Sequence, residues 1–230
     1  MMILKSIKDK SVFLFATLFV MFFTPIIQAG EIEVSLTNAT KGLYFTPILI
    51  VAHDNDKYVF RSGTPASPEL KAMAEGGDIS SLASKFSNLG ADISENPAQG
   101  LLQFGKKTTA TFNTNKRYLS LVSMLLPTND GFVGVDSWMI PTKPGTYNIR
   151  LNGYDAGTEI NDEIAGNMPN PPVLNFGKNG TGISTREINK MVHIHPGNLG
   201  DFDLQGGASD LISSEHRWLN PVAVMTLIVK

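Results

Sequence analysis

The chain has 230 residues and a formal charge of −2, with only 17% of its residues charged. So thin a charge, without basic excess, excludes the clustered Lys and Arg footprint of a nucleic-acid binder. The absence of cysteine excludes a disulfide framework, yet about 200 residues bury a sufficient core without one.

Residues 1–29 read as a signal peptide. Lys5, Lys8 and Lys10 supply a basic head, residues 11–27 are almost wholly apolar, and Gln28-Ala29 offers a small residue for cleavage. An uncleaved anchor is the plainer alternative, at the short edge of what spans a bilayer. Cleavage after Ala29 leaves residues 30–230 as one exported domain, periplasmic or extracellular. Losing Lys5, Lys8, Lys10 and Asp9 leaves 16 basic and 20 acidic residues, about −4.

Ile32, Val34 and Leu36 alternate with polar neighbours and predict a first strand with one buried face. Residues 48–52 form a continuous, β-branched apolar run, a central strand that His53-Asp54-Asn55-Asp56 ends in a turn; residues 58–60 resume the edge. Helical signals occur only at 67–87. Ser67-Pro68-Glu69 starts a helix with Leu70, Met73 and Ala74 on one face, Gly76-Gly77-Asp78 stops it, and Ile79, Leu82 and Ala83 mark a second. Residues 88–100 read as loop, followed by short strands at 101–104 and 108–112. Residues 118–126 are the strongest strand, apolar on much of both faces. Further strands fall at 132–139, 145–151, 191–195 and 222–229. Short strands, shaped turns and no βαβ rhythm predict an all-β fold, an antiparallel eight-stranded β-sandwich with two short helices in its loops.

Carboxylates gather where two strands end. Asp130 follows the strongest strand, and Asp155-Ala156-Gly157-Thr158-Glu159 has small central residues that let the backbone fold back. No Lys or Arg occurs from 119 to 142 or from 151 to 171. Carboxylates without basic neighbours repel unless a cation or a proton compensates them. Calcium takes six to eight oxygen ligands in flexible geometry, so Asp130, Asp155 and Glu159 are candidate metal ligands; ordinary turn carboxylates facing water are the plainer alternative.

Other constellations are weaker. His193 and His195, two apart on a strand, share one side, and with Asp201 and Asp203 they form a set suited to zinc. Backbone hydrogen bonding around Pro196-Gly197 is the plainer reading. No G-x-S-x-G elbow occurs, the glycines at 175–182 lack the strand and helix of a phosphate loop, and Trp138 and Trp218 read as packing residues.

Residues 126–133 (LPTNDGFV), 154–163 (YDAGTEINDE), 192–197 (VHIHPG) and 219–226 (LNPVAVMT) resemble the spondin N-terminal domain family, especially its bacterial exported members. TPILIVAHD at 46–54 and ASPELKAMAEGGD at 66–78 resemble the same branch. The resemblance implies an eight-stranded sandwich with a calcium site in loops at one end, its three carboxylates matching Asp130, Asp155 and Glu159. Animal members carry Asp where this chain has Glu159, and cysteines that it lacks.

The expectation is therefore a non-enzymatic, exported, calcium-binding module for structural stabilisation or macromolecular recognition at the cell envelope or outside the cell. Its partner is a protein, a glycan or an anionic membrane surface. The alternative is a metal-dependent hydrolase built on His193 and His195.

Overall fold

Two largely apolar runs become strands buried on both faces, and everything else is laid around them. The computed structural model describes residues 30–54, 56–169, 171, 190–203 and 207–230; the expected signal peptide and the glycine-rich segment at 175–182 lie outside these. In chain order the elements are β1 (Gly30–Asn38), β2 (Tyr44–Phe45), β3 (Leu49–His53), α1 (Pro68–Gly76), α2 (Ser80–Asn88), β4 (Asp92–Glu95) and β5 (Lys107–Thr114). There follow β6 (Tyr118–Leu126), β7 (Gly131–Met139), β8 (Gly145–Asp155), β9 (His193–Ile194), α3 (Ser213–His216) and β10 (Ala223–Val229), with a 3-10 turn at Ala165–Asn167.

The strands run antiparallel in the order β4-β3-β6-β7-β8-β10-β1-β5, with β2 paired to β6 and β9 to β8. Strand β8 changes its main partner along its length, with β9 added at its end. Its residues 145–151 pair with β10, and 152–155 pair with β7. The two ends of the path approach each other without a ladder, where Thr114 Oγ1 donates to Asp92 Oδ2 at 2.6 Å. The eight-stranded sandwich with two helices is thus corrected to a ten-stranded antiparallel sheet, nearly closed into a barrel, with three helices among the described residues. Residues 58–60 form no strand, and 101–104 contribute a single bridge through Leu102.

Side-chain alternation sorts the apolar residues into two cores. Ile50 and Ala52 of β3 and Leu119, Leu121 and Leu125 of β6 point into the barrel, where Val34, Phe112 and Met225 meet them. The opposite faces, carrying Leu49, Val51, Val122, Met124 and Leu126, lie under the two longer helices. Helix α1 begins at Ser67, whose Oγ accepts from the Leu70 amide, with Pro68 next, and ends at Gly77 with φ of 71°. It buries Leu70, Met73 and Ala74, while α2 buries Leu82, Ala83 and Phe86. Each large side chain so covered stabilises by about 1.5–3 kcal/mol.

His53 ends β3 at the opposite end of β6 from Asp130, pairing with Tyr118, and is fully buried. Its Nδ1 bonds the Asp54 carbonyl at 2.8 Å and its Nε2 the Ser120 hydroxyl at 2.8 Å. Ser120 Oγ also accepts from the Ser137 amide at 2.9 Å. That chain holds a β-bulge, because Leu119 pairs with Trp138 and Leu121 with Val135, leaving two residues of β7 opposite Ser120. Burial pushes the His53 imidazole below its ordinary value, which suits this neutral structural role.

Trp218 lies across β8 at Gly153, where a Cβ would stand 2.6 Å from the indole ring. Gly153→Ala should therefore destabilise by about 1–3 kcal/mol through overpacking. Gly76, at the open end of α1, has nothing within 4 Å of an added Cβ. Gly76→Ala should stabilise by roughly 0.5–1 kcal/mol. Urea unfolding of the two variants checks the opposite signs.

Candidate functional site

The turn after β6 delivers Asp130 to one end of the barrel. Thr128 closes it, its Oγ1 donating to the Leu125 carbonyl at 2.6 Å and accepting from the Gly131 amide at 3.0 Å. A side chain at 131 would meet Thr128 Oγ1 at 2.7 Å, so this tight return requires glycine. Strand register then pairs Gly131 with Asp155, and the Ala156 amide bonds the Asp130 carbonyl at 3.2 Å. The two acidic loops of the sequence are neighbours.

Asp130, Asp155 and Glu159 are 0%, 1% and 2% exposed, which removes the water-facing alternative. Asp130 Oδ2 accepts from the Thr158 amide at 2.7 Å, the Glu159 amide at 3.1 Å and the Thr158 hydroxyl at 3.2 Å. Asp155 Oδ1 accepts from the Gly157 amide at 2.7 Å and Oδ2 from Asn161 Nδ2 at 2.6 Å. Asp130 Oδ1 and Glu159 Oε2 are buried with no hydrogen-bond partner. Burial first, then the Asp155 charge, raises the Asp130 carboxyl above the usual range against the pull of the Thr158 and Glu159 amides. Burial, then the charges of Glu75 and Asp130, pushes Glu159 up to about 9, with Lys71 opposing.

Two neighbouring acids have their oxygens satisfied. Asp162 binds Asn129 and Asn167 side chains and the Ile164 amide. Glu163 takes the Leu199 and Gly200 amides and the Ser209 hydroxyl. Both are staples between loops, whereas Asp130 and Glu159 retain acceptor capacity. Oxygen-only donors of this kind suit a hard cation. Among the described residues, however, no group of three or more His, Cys, Asp or Glu side chains is gathered so as to hold a metal ion. The three carboxylates share a buried end of the fold without forming a finished coordination shell.

Sequence reasoning missed Glu75 and Lys71. Both lie on α1, 3.5 Å apart, and both act electrostatically on Glu159; Glu75 Oε1 is buried without a hydrogen bond. Their one signal was the i, i+4 spacing of opposite charges, which says nothing of which loop the helix faces.

The histidine pair does not form a second centre. Only His193–Ile194 is strand. His193 Nδ1 bonds the Met191 carbonyl at 2.8 Å, with Nε2 3.7 Å from Asp155 Oδ2. His195 turns inward, 3% exposed, with its ring 4.9 Å from that of Trp218 and Nδ1 accepting from the Gly197 amide at 2.9 Å. Burial pushes its imidazole well down. Asp201 is occupied by the Asp203, Ala208 and Ser209 amides. The zinc set of two histidines with Asp201 and Asp203 is not gathered among the described residues.

The family model described as Spondin_N matches residues 37–172, more than half of the chain and a span that holds Glu75, Asp130, Asp155 and Glu159. No curated protein matches the chain.

Glu159 binds its proton more tightly folded than unfolded, so in chelator stability should fall as pH rises towards the folded value near 9. By pH 7 the buried histidines at 53, 195 and 216, whose pKa values are lowered, contribute little further change. From there to pH 9 the loss should approach ~1.4 kcal/mol per pH unit, with Tm falling roughly 2–4 °C per kcal/mol. Glu159→Gln should abolish that slope, as measured by scanning calorimetry across the window.

Proposed function

The chain belongs to the spondin N-terminal domain family, and on that premise we propose that it is an extracellular recognition module whose buried acidic pocket takes calcium. The observation that carries the reading is the pair of buried, unpartnered oxygens, Asp130 Oδ1 and Glu159 Oε2. The remaining Asp130 oxygen is already held by three donors. When bound, calcium supplies the positive charge that protons otherwise provide to such carboxylates. Asp130 and Glu159 would hold it, with Asp155 beside them as the third acidic residue.

The protein's own contribution is to fix two loops in one relative position. Asp130 Oδ2 grips the Thr158 and Glu159 amides, Asp155 shapes its own turn through Gly157, and Asn129 ties the β6–β7 turn to Asp162. Loops so ordered present a defined surface to a protein, a glycan or an anionic membrane without ordering cost at the moment of contact. Among the described residues no helix is long and apolar enough to cross a membrane, and an exported, non-catalytic role accords with the family.

Calorimetric titration of chelator-treated protein with calcium should give saturable binding. At a calcium concentration of about 100 times Kd the fold should gain roughly 2.7 kcal/mol. Asp130→Asn and Glu159→Gln should each weaken binding by about tenfold or more, as loss of a charged ligand implies. Absence of both heat and thermal stabilisation in the wild-type protein would remove calcium from the reading.

A further inference from the structure

On the outer side of the helical layer, residues 56–65 and the two helices enclose a cleft of about 570 Å³, within the size range of small-molecule sites. We propose that this cleft binds a small amphipathic organic anion, a single apolar chain or ring system carrying one carboxylate or sulfate head. The site is separate from the acidic pocket and does not depend on calcium.

Its floor is apolar and firm. Phe60, Leu70 and Phe86 line it and are nearly fully buried. Phe60 is held edge-on to Phe132 with ring centroids 5.0 Å apart, and 4.9 Å from Tyr154. Tyr58 and Leu89 stand at the mouth, 48% and 46% exposed, offering apolar surface that a ligand's body would cover. The wall is also fixed. Gly63 donates its amide to the Val192 carbonyl at 2.7 Å, and the Val192 amide returns to the Thr64 carbonyl at 2.8 Å. A preformed cleft spares a ligand the cost of ordering it.

Charge selects the head group. Lys57, Arg61 and Lys85 line the cleft against Asp56 alone, so the lining is +2 in a chain whose overall charge is −2. The Arg61 guanidinium lies 4.4 Å over the Tyr58 ring, which keeps it at the mouth. Each cation has an acidic neighbour, Lys57 with Asp56, Arg61 with Asp136 and Lys85 with Glu69, at 3.0, 3.5 and 3.0 Å. Each pair keeps one partner open to solvent, at 69%, 49% and 42% side-chain exposure, and such exposed pairs contribute little. An anion whose apolar body fills the floor competes for them with an advantage the resident carboxylates lack.

The test is titration of the purified protein, in chelator, with dodecanoate below its micelle concentration, followed by calorimetry and by amide chemical shifts. Dodecanoate should bind saturably and shift amides of residues 57–61 and 85–89. Dodecanol should bind more weakly by about tenfold or more. Arg61→Glu and Lys85→Glu should each weaken dodecanoate to a similar degree, while Lys107→Glu on β5, outside the cleft, should leave it unchanged. Leu89→Ser, at a position 46% exposed, should weaken both compounds. Equal affinity for dodecanoate and dodecanol, indifference to charge reversal at Arg61 and Lys85, or no saturable binding would each overturn the proposal.

Discussion

Negative charge taken out of water at one end of the barrel is the constraint on which the surrounding loops depend. An isolated ionised carboxylate in an apolar interior is prohibitively costly, so it is either neutralised or surrounded by donors. Here both solutions operate side by side. Backbone amides from 157–159 and the Asn161 side chain converge on Asp130 and Asp155. Glu159 has no such donors to its Oε2, and its proton is held far above the usual carboxylate range. The loops take their shape from this demand. Gly131 and Gly157 occupy positions where a side chain would strike Thr128 and the Met191 backbone respectively.

Much of this was legible before the fold was known, for identifiable reasons. Residues 118–126 are apolar at both parities, and both faces of β6 are covered, one by the barrel interior and one by the helices. Ser67, Pro68 and Gly77 marked α1 because helix ends demand particular backbone conformations of particular residues. Strand β4 left no such mark. Its sequence, DISE, is short, half-exposed and polar, and it becomes a strand only because β3 presents an edge for it. Near-closure of the sheet was equally hidden, since it depends on which strands meet across long stretches of chain.

The site shows the same division between local and distant information. Turn chemistry identified Asp130 and the 155–159 loop, and the β7–β8 register then made them neighbours. It did not reveal Glu75 and Lys71, whose influence on Glu159 comes through the packing of α1. Nor did alternation show that His195 would be buried against Trp218 while His193 stays partly exposed beside Asp155. The His195 amide still bonds the Gly153 carbonyl at 3.1 Å, so the backbone runs on beside β8 past the last strand residue. Val192 meanwhile ties the acidic end to the helical side through its bonds to residues 63 and 64, so the chain near β9 is a brace between regions far apart in sequence.

Strand β8 gives the molecule its mechanical character. Since 145–151 are hydrogen-bonded to β10 and 152–155 to β7, one length of backbone is rooted in both halves of the wall. The change of partner falls between Leu151 and Asn152. Because the two ends of the sheet meet without a ladder, β8 is the only ladder link between the β4-β3-β6-β7 half and the β10-β1-β5 half among the described residues, and its loss would part them.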